Sequence, residues 1–366
     1  MLFKSLSCLL LNAIALAMPI APGLAQVNSD STITPISQLE LNNLLIEGRK
    51  YVESQQYQEA LDSYQQAAEL DPNNPGIFSG IGYVYTLQEN YESAAAAYEK
   101  AIVLAPDNPK LYYALAYNLG QQGENLDAAA AYERAIDLEP LNLQNHLGLG
   151  VVLLRAKEYN RAITTYRVIL ALDPANEQAY QILARLLREQ ERYQAAIALL
   201  EPAIRQYPHL INLKLELADT LVKQGKLEAA LKTLATARIQ NPQNYSIYQQ
   251  IADILYQQGE LNAALTEYQE AVKLSSNAPE AVSGVGKVYL AQKNYLQAIV
   301  SFRSLSEIEP NNPLAYHNLG IALKARNRDR EALTAFNRAL TLYEDRGDRQ
   351  QAKNVALLIK EINTKP

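Results

Sequence analysis

Proline stands at positions 72, 106, 140, 174, 208, 242 and 310, each 34 residues or a multiple of 34 from the one before. The one skipped beat, 276, is Ser276. Loop composition does not produce a rhythm this regular; a chain that copies one structural unit end to end does. A unit of 34 residues with no cysteine or metal-type spacing is too small to bury a core alone, so its copies must stack on one another. Function then belongs to a stacked surface and not to a closed pocket.

Counting back from each proline predicts nine windows: 41–74, 75–108, 109–142, 143–176, 177–210, 211–244, 245–278, 279–312 and 313–346. The eighth residue of each is Gly or Ala, and the twentieth is always Ala, from Ala60 and Ala94 to Ala298 and Ala332. The eleventh is Tyr or Leu, as in Tyr51, Tyr85, Tyr289 and Leu323. The twenty-fourth is large: Tyr64, Tyr98, Tyr132, Tyr166, Leu200, Leu234, Tyr268, Phe302 and Phe336. Positions four, seven, eight and eleven lie on one face of a first helix; twenty, twenty-four and twenty-seven lie on one face of a second. Small residues at the crossing let the helices approach closely, and the large one fills the space beside them. Proline ends the second helix, and Asn two residues later (74, 108, 142, 176, 244, 312) can cap the next, with Leu210 and Ala278 as exceptions.

This pattern resembles the tetratricopeptide repeat family, over 41–346. The resemblance implies an all-α fold: helix–turn–helix units wound into a right-handed superhelical solenoid. Departures from the family pattern are local. The fourth position is never Trp, and Lys214 places a charge there, which predicts a first helix that packs less apolar area. The fifth and sixth windows lack the aromatic at position twenty-four, and Pro202 falls inside a second helix. An interior proline removes a backbone hydrogen bond at a cost of about 3 kcal/mol. The stretch 177–244 is therefore where such a stack is expected to bend or open, although a tolerated local bend accounts for Pro202 equally well.

The ends read differently from the middle. Lys4, the apolar run Leu6 to Met18 and Gly23-Leu24-Ala25 fit a secretory signal over 1–25, cut before Gln26. That run is too short for a comfortable membrane span. Cleavage would leave 341 residues without cysteine, with 32 basic against 39 acidic side chains. The expected setting is the periplasm or another extracytoplasmic compartment, with stability drawn from burial and not from disulfides. A net charge of −7 without a basic run argues against nucleic acid or anionic lipid as partner. Residues 26–40 read as a flexible lead-in, with Pro35 suited to the first turn of an early helix. In 347–366, Ala352, Val355, Ile359 and Ile362 share one face of a helix expected to cover the end of the array.

No constellation for chemistry emerges. His146, His209 and His317 fall at different positions of different windows, and only His317 could face a groove, so neither a metal nor a catalytic triad is expected. No phosphate-cradling glycine loop occurs and no cofactor is implied. Arg346-Gly347-Asp348 is explained by a helix end and a helix cap, and Asn244-Tyr245-Ser246 by an inter-repeat cap. A non-enzymatic protein is expected.

The resemblance implies an inner groove lined by first helices, which holds an extended peptide or a partner helix. Carrying the family's groove positions onto this chain gives a zoned surface. Tyr83, Tyr113, Tyr117, Leu147 and Val151 are aromatic or apolar; Arg155, Arg185 and Arg188 follow. Glu216, Asp219 and Asp253 reverse the sign, with Gln249, Gln250 and Lys287 beyond. Aromatic and arginine side chains supply much interface energy, but these tyrosines fit packing between units equally well. The lysine–asparagine set with which one subgroup grips a chaperone's terminal carboxylate is absent. The expected function is a scaffold or assembly factor for an envelope complex; the alternative is a glycan- or peptidoglycan-binding accessory, with tyrosines stacking on sugar faces.

Overall fold

The computed structural model describes residues 35–364, which form nineteen helices and, among the described residues, no strand. The expected signal segment and the start of the lead-in lie outside the described residues. The first helix begins at Pro35, so 35–40, expected to be flexible, are helical.

The chain divides into two compact units, one ending at Leu186 and the other beginning at Leu187. The first holds α1 (Pro35–Glu53), α2 (Tyr57–Leu70), α3 (Pro75–Leu87), α4 (Tyr91–Leu104), α5 (Pro109–Gln122), α6 (Asn125–Leu138), α7 (Leu143–Arg155) and α8 (Tyr159–Leu172). The division falls inside α9 (Glu177–Glu189). The second holds α10 (Tyr193–Gln206), α11 (Ile211–Lys223), α12 (Leu227–Gln240), α13 (Tyr245–Gln257), α14 (Leu261–Leu274) and α15 (Pro279–Ala291). It ends with α16 (Tyr295–Ile308), α17 (Pro313–Ala325), α18 (Asp329–Asp345) and α19 (Arg349–Asn363). From α1 to α18, odd-numbered helices are the expected first helices and even-numbered ones the second; α19 is the expected covering helix.

Each crossing is built on the alanine at position twenty, which is 0% exposed in all nine windows. Beside it the position-twenty-four side chain is buried throughout. Where this side chain is aromatic, a glycine opposite makes room for the ring. A Cβ added at Gly82 would lie 2.9 Å from the Tyr98 ring, and one at Gly286 2.7 Å from Phe302. In 109–142 and 245–278 the eighth residue is Ala, and the seat moves to the sixth residue of the next window. Cβ atoms at Gly148 and Gly284 would lie 2.3 Å from the rings of Tyr132 and Tyr268.

The joints are equally regular. Asn74, Asn108, Asn142, Asn244 and Asn312 accept a hydrogen bond from the backbone N–H two residues on, and Asn176 from Ala179. Leu210 and Ala278 cap without a side-chain bond. The turn between paired helices closes with an N–H donating five residues back, as in Asn90 to Tyr85 and Glu158 to Leu153. It places position fifteen at positive φ, in glycine at 123, 225 and 259 but also in Gln55, Glu89, Lys157, Glu191, Lys293 and Asn327. The turn's own bonds hold these six left-handed residues against the ordinary cost of about 1–2 kcal/mol.

Two expectations change. Lys214 is 5% exposed, and its ammonium donates to Pro208 O at 3.0 Å and to Gln240 Oε1 at 2.6 Å. His146 Nε2 stands 2.8 Å from Pro140 O, and the Tyr248 and Tyr316 hydroxyls donate to Pro242 O and Pro310 O. In these four windows the fourth position reaches back to a turn proline's carbonyl, and Lys214 does so while buried. At Pro202, α10 runs on unbroken. The carbonyl deprived of a donor belongs to Ala198, which is exposed and can be met by water.

At the chain's end, Ala352, Val355 and Ile362 of α19 bury against a cluster that includes Leu323, Phe336 and Tyr343.

Candidate functional site: the first-helix face

In the first unit the expected aromatic zone turns inward. Tyr113 and Tyr117 on α5 are 7% and 5% exposed, and Val151 on α7 is 1% exposed. Tyr113 meets the fully buried Tyr132 edge to face at 5.7 Å between centroids. Burial pushes the Tyr113 hydroxyl well above its ordinary pKa, so it stays neutral. These three side chains fill the space between helices and offer little area to a partner, which corrects their expected place on a groove. Tyr83 on α3 and Leu147 on α7 remain half-buried. Arg155, also half-buried, donates to Gly120 O at 3.0 Å. Arg185 on α9 is half-buried.

In the second unit the expected change of charge sign is partly spent internally. Arg188 on α9 pairs with Glu216 on α11 at 2.9 Å, and both side chains are only 12% exposed. Asp219 lies at 4.0 Å from the same guanidinium and is 45% exposed. Asp253 on α13 accepts the hydroxyl of Tyr268, the ring seated on Gly284. Desolvation raises the Asp253 pKa; the Tyr268 hydroxyl, Lys287 on α15 and the Gln249 side chain oppose the rise. Lys287 is exposed and Gln249 half-buried.

Between α11 and α13 lies a cavity of about 170 Å³ lined by Ala218, Asp219, Val222, Gln250, Asp253, Ile254 and Gln257. It brings together Asp219, Gln250 and Asp253, three of the residues expected from sequence. Gln257 and the apolar floor escaped that reading, because only the packing of adjacent first helices reveals which side chains leave a gap. A wider, open cavity of about 720 Å³ lies between α17 and α19, with His317 on its wall. His317 packs edge-on against Phe336 and Tyr343, and burial lowers its pKa, which favours the neutral ring.

No group of three or more His, Cys, Asp or Glu that could hold a metal occurs among the described residues. Within the same residues no helix is long and apolar enough to cross a membrane.

Tandem two-helix units, with chemistry-bearing groups spread along successive first helices and not converging on one centre, define a class: helical-repeat arrays of the kind that typically serve protein–protein interaction. Comparison with known families agrees. Models described as tetratricopeptide repeats match residues 48–89, 82–123, 113–177, 187–254, 252–293, 286–327 and 315–350. The chain belongs to the tetratricopeptide repeat family, and none of the matching models describes an enzyme. No curated protein matches it. Among solved structures it is similar to yeast Tom70, at 15% identity and a TM-score of 0.50, over 88% of this chain and 96% of that one. It is also similar to a chain of the APC/C hetero-tetramer Cut9–Hcn1, at 13% identity and a TM-score of 0.51, over 90% of this chain and 64% of that one. Both likenesses concern the fold.

Proposed function

We propose that the protein is a non-enzymatic scaffold that grips a peptide or a partner helix along its first-helix face. It would act outside the cytoplasm, after removal of residues 1–25, as nine repeats closed by α19. The observation that carries this reading is the placement of half-buried polar and apolar groups on successive first helices. Tyr83 and Leu147 in one unit, and Asp219 and Gln249 in the other, are packed firmly enough to be pre-positioned and open enough to be reached. A rigid repeat stack orders such a surface in advance, so that little ordering entropy is lost on the scaffold side when a partner docks. Export is supported by the composition of the leader, and an intact mass beginning at Gln26 would establish the cut.

Site-specific photocrosslinking tests the proposal. A photoreactive residue at 83 or 219 should give adducts with a partner in extract from the native compartment. The same residue at the exposed second-helix positions Val103 and Ile239, which are 80% and 83% exposed, should give none. Adducts confined to 103 and 239 would overturn the assignment of the face.

A further inference from the structure

We infer that the open cavity between α17 and α19 docks an acidic peptide segment of a protein partner. One apolar side chain of that segment sits in the cavity, and carboxylates flank it on the rim. This surface lies outside the residues on which the first-helix reading rests. At about 720 Å³ the cavity falls within the roughly 300–1,000 Å³ of pockets that bury a compact ligand, enough for a bulky side chain and the backbone around it. Leu357 and Leu358 supply its apolar wall. His317 stands on the α17 side, its ring held edge-on by Phe336 and Tyr343.

Helix α19 uses most of its apolar side chains inward. Ala352, Val355 and Ile362 bury against the cluster beneath it. Leu357 falls on the other side of the helix and is 57% exposed. Lys353 precedes it by four residues and Lys360 follows by three, so all three share one face. A single exposed leucine is ordinary on any surface. This one stands at the mouth of a concavity and between two cations, and that conjunction defines the seat.

The charges fix the sign of the occupant. Lys353 and Lys360 are exposed, and among the described residues their ammonium groups enter no ion pair or hydrogen bond. Glu361, the acid in the lining, is already held by Lys324 of α17. Burial favours the neutral ring of His317. The other acids near α19, namely Glu344, Asp345 and Asp348, lie before its first residue beside Arg346 and Arg349, and Asp348 caps it. Two free ammonium groups therefore border the cavity, about 10 Å apart along the helix axis. A basic segment would be repelled by both. An anionic membrane is a poorer fit than an acidic peptide, because it needs a broad apolar helix face and this one is buried, and the chain's net charge of −6 opposes it.

Short random peptides displayed on phage and selected on the full-length chain test the inference. Enriched sequences should carry Leu, Ile, Met or Phe flanked by Asp or Glu. As a soluble peptide, the consensus should bind about tenfold more weakly to Leu357→Gln. It should bind about three- to tenfold more weakly to the double variant Lys353→Gln, Lys360→Gln, a loss that shrinks as salt is raised. The three side chains are exposed, so both variants should melt with the wild type. Selected peptides that lack acidic residues, or that bind both variants as they bind the wild type, would overturn the seat and leave the scaffold reading intact. Failure to select any peptide would overturn it too. Vesicles of phosphatidylglycerol and phosphatidylcholine that then retained the wild type, but not the lysine variant, would reassign the surface to a membrane.

Discussion

Tyr132 and Tyr268 occupy the same position of their windows, yet their hydroxyls meet opposite fates. Tyr268 donates to Asp253. The Tyr132 hydroxyl, like that of Tyr166, is buried without a partner. At the same position Phe302 and Phe336 are 0% exposed, so the ring alone satisfies the packing. Replacing Tyr132 or Tyr166 by Phe should therefore leave stability unchanged or raise it by up to about 1 kcal/mol, since an orphaned polar group is removed. Tyr268→Phe should instead cost about 1.5–3 kcal/mol, the worth of a hydrogen bond to a charged group. Urea titrations of the three variants decide the matter, and a Tyr132→Phe loss as large as that of Tyr268→Phe would contradict it. The large residue at position twenty-four was legible in sequence. Which glycine seats its ring was not, because Gly148 and Gly284 come sixteen residues later and fall, by periodicity alone, on the groove side.

The helix joint shows a similar limit to what periodicity can tell. Apolar spacing identified the first and second helices and their asparagine caps, since these are local signals. It treated Lys214 as a defect, because the acceptors that make it a fitting residue lie in the preceding turn and the following helix. Pro208 O and Gln240 Oε1 satisfy the ammonium, and burial lowers its pKa without removing these bonds. His146, Tyr248 and Tyr316 perform the same reach in their own windows. Lys214→Tyr should therefore be tolerated within about 1 kcal/mol, whereas Lys214→Met, which keeps the stem and loses the donor, should cost about 1–3 kcal/mol. Thermal melts of the two variants compare them directly; equal losses would show that charge and not reach is what matters at this position.

Across the whole molecule, stability in a stack of this kind is a sum of unit terms and nearest-neighbour interfaces. The final helix offers a test. Deleting residues 349–366 would uncover Phe336 and Tyr343, which α19 helps to bury. Amide exchange should accelerate in α17 and α18 by an amount corresponding to roughly 3–6 kcal/mol, the burial of about two apolar side chains. Protection in α13 and α14 should be preserved, and a uniform loss along the second unit would mean that cooperation extends beyond neighbours. The fold at this scale was legible from the proline rhythm. The site was legible only in part. Groove positions pointed to Asp219 and Asp253, but Tyr113, Tyr117 and Val151 carry the same positional label and are buried. A positional pattern records which face a residue belongs to, and only the packing of neighbouring side chains records how much of that face stays open.

The reach from position four to the turn proline has an evolutionary corollary. Donor and acceptor sit six residues apart across the seam, so a gene segment duplicated in steps of 34 codons, wherever it is cut outside that short interval, carries a complete fastener with it. Lengthening or shortening such an array by unequal recombination then keeps each such latch whole, whereas the windows that carry Leu44, Phe78 and Val282 at this position have no side-chain donor there and are joined without one.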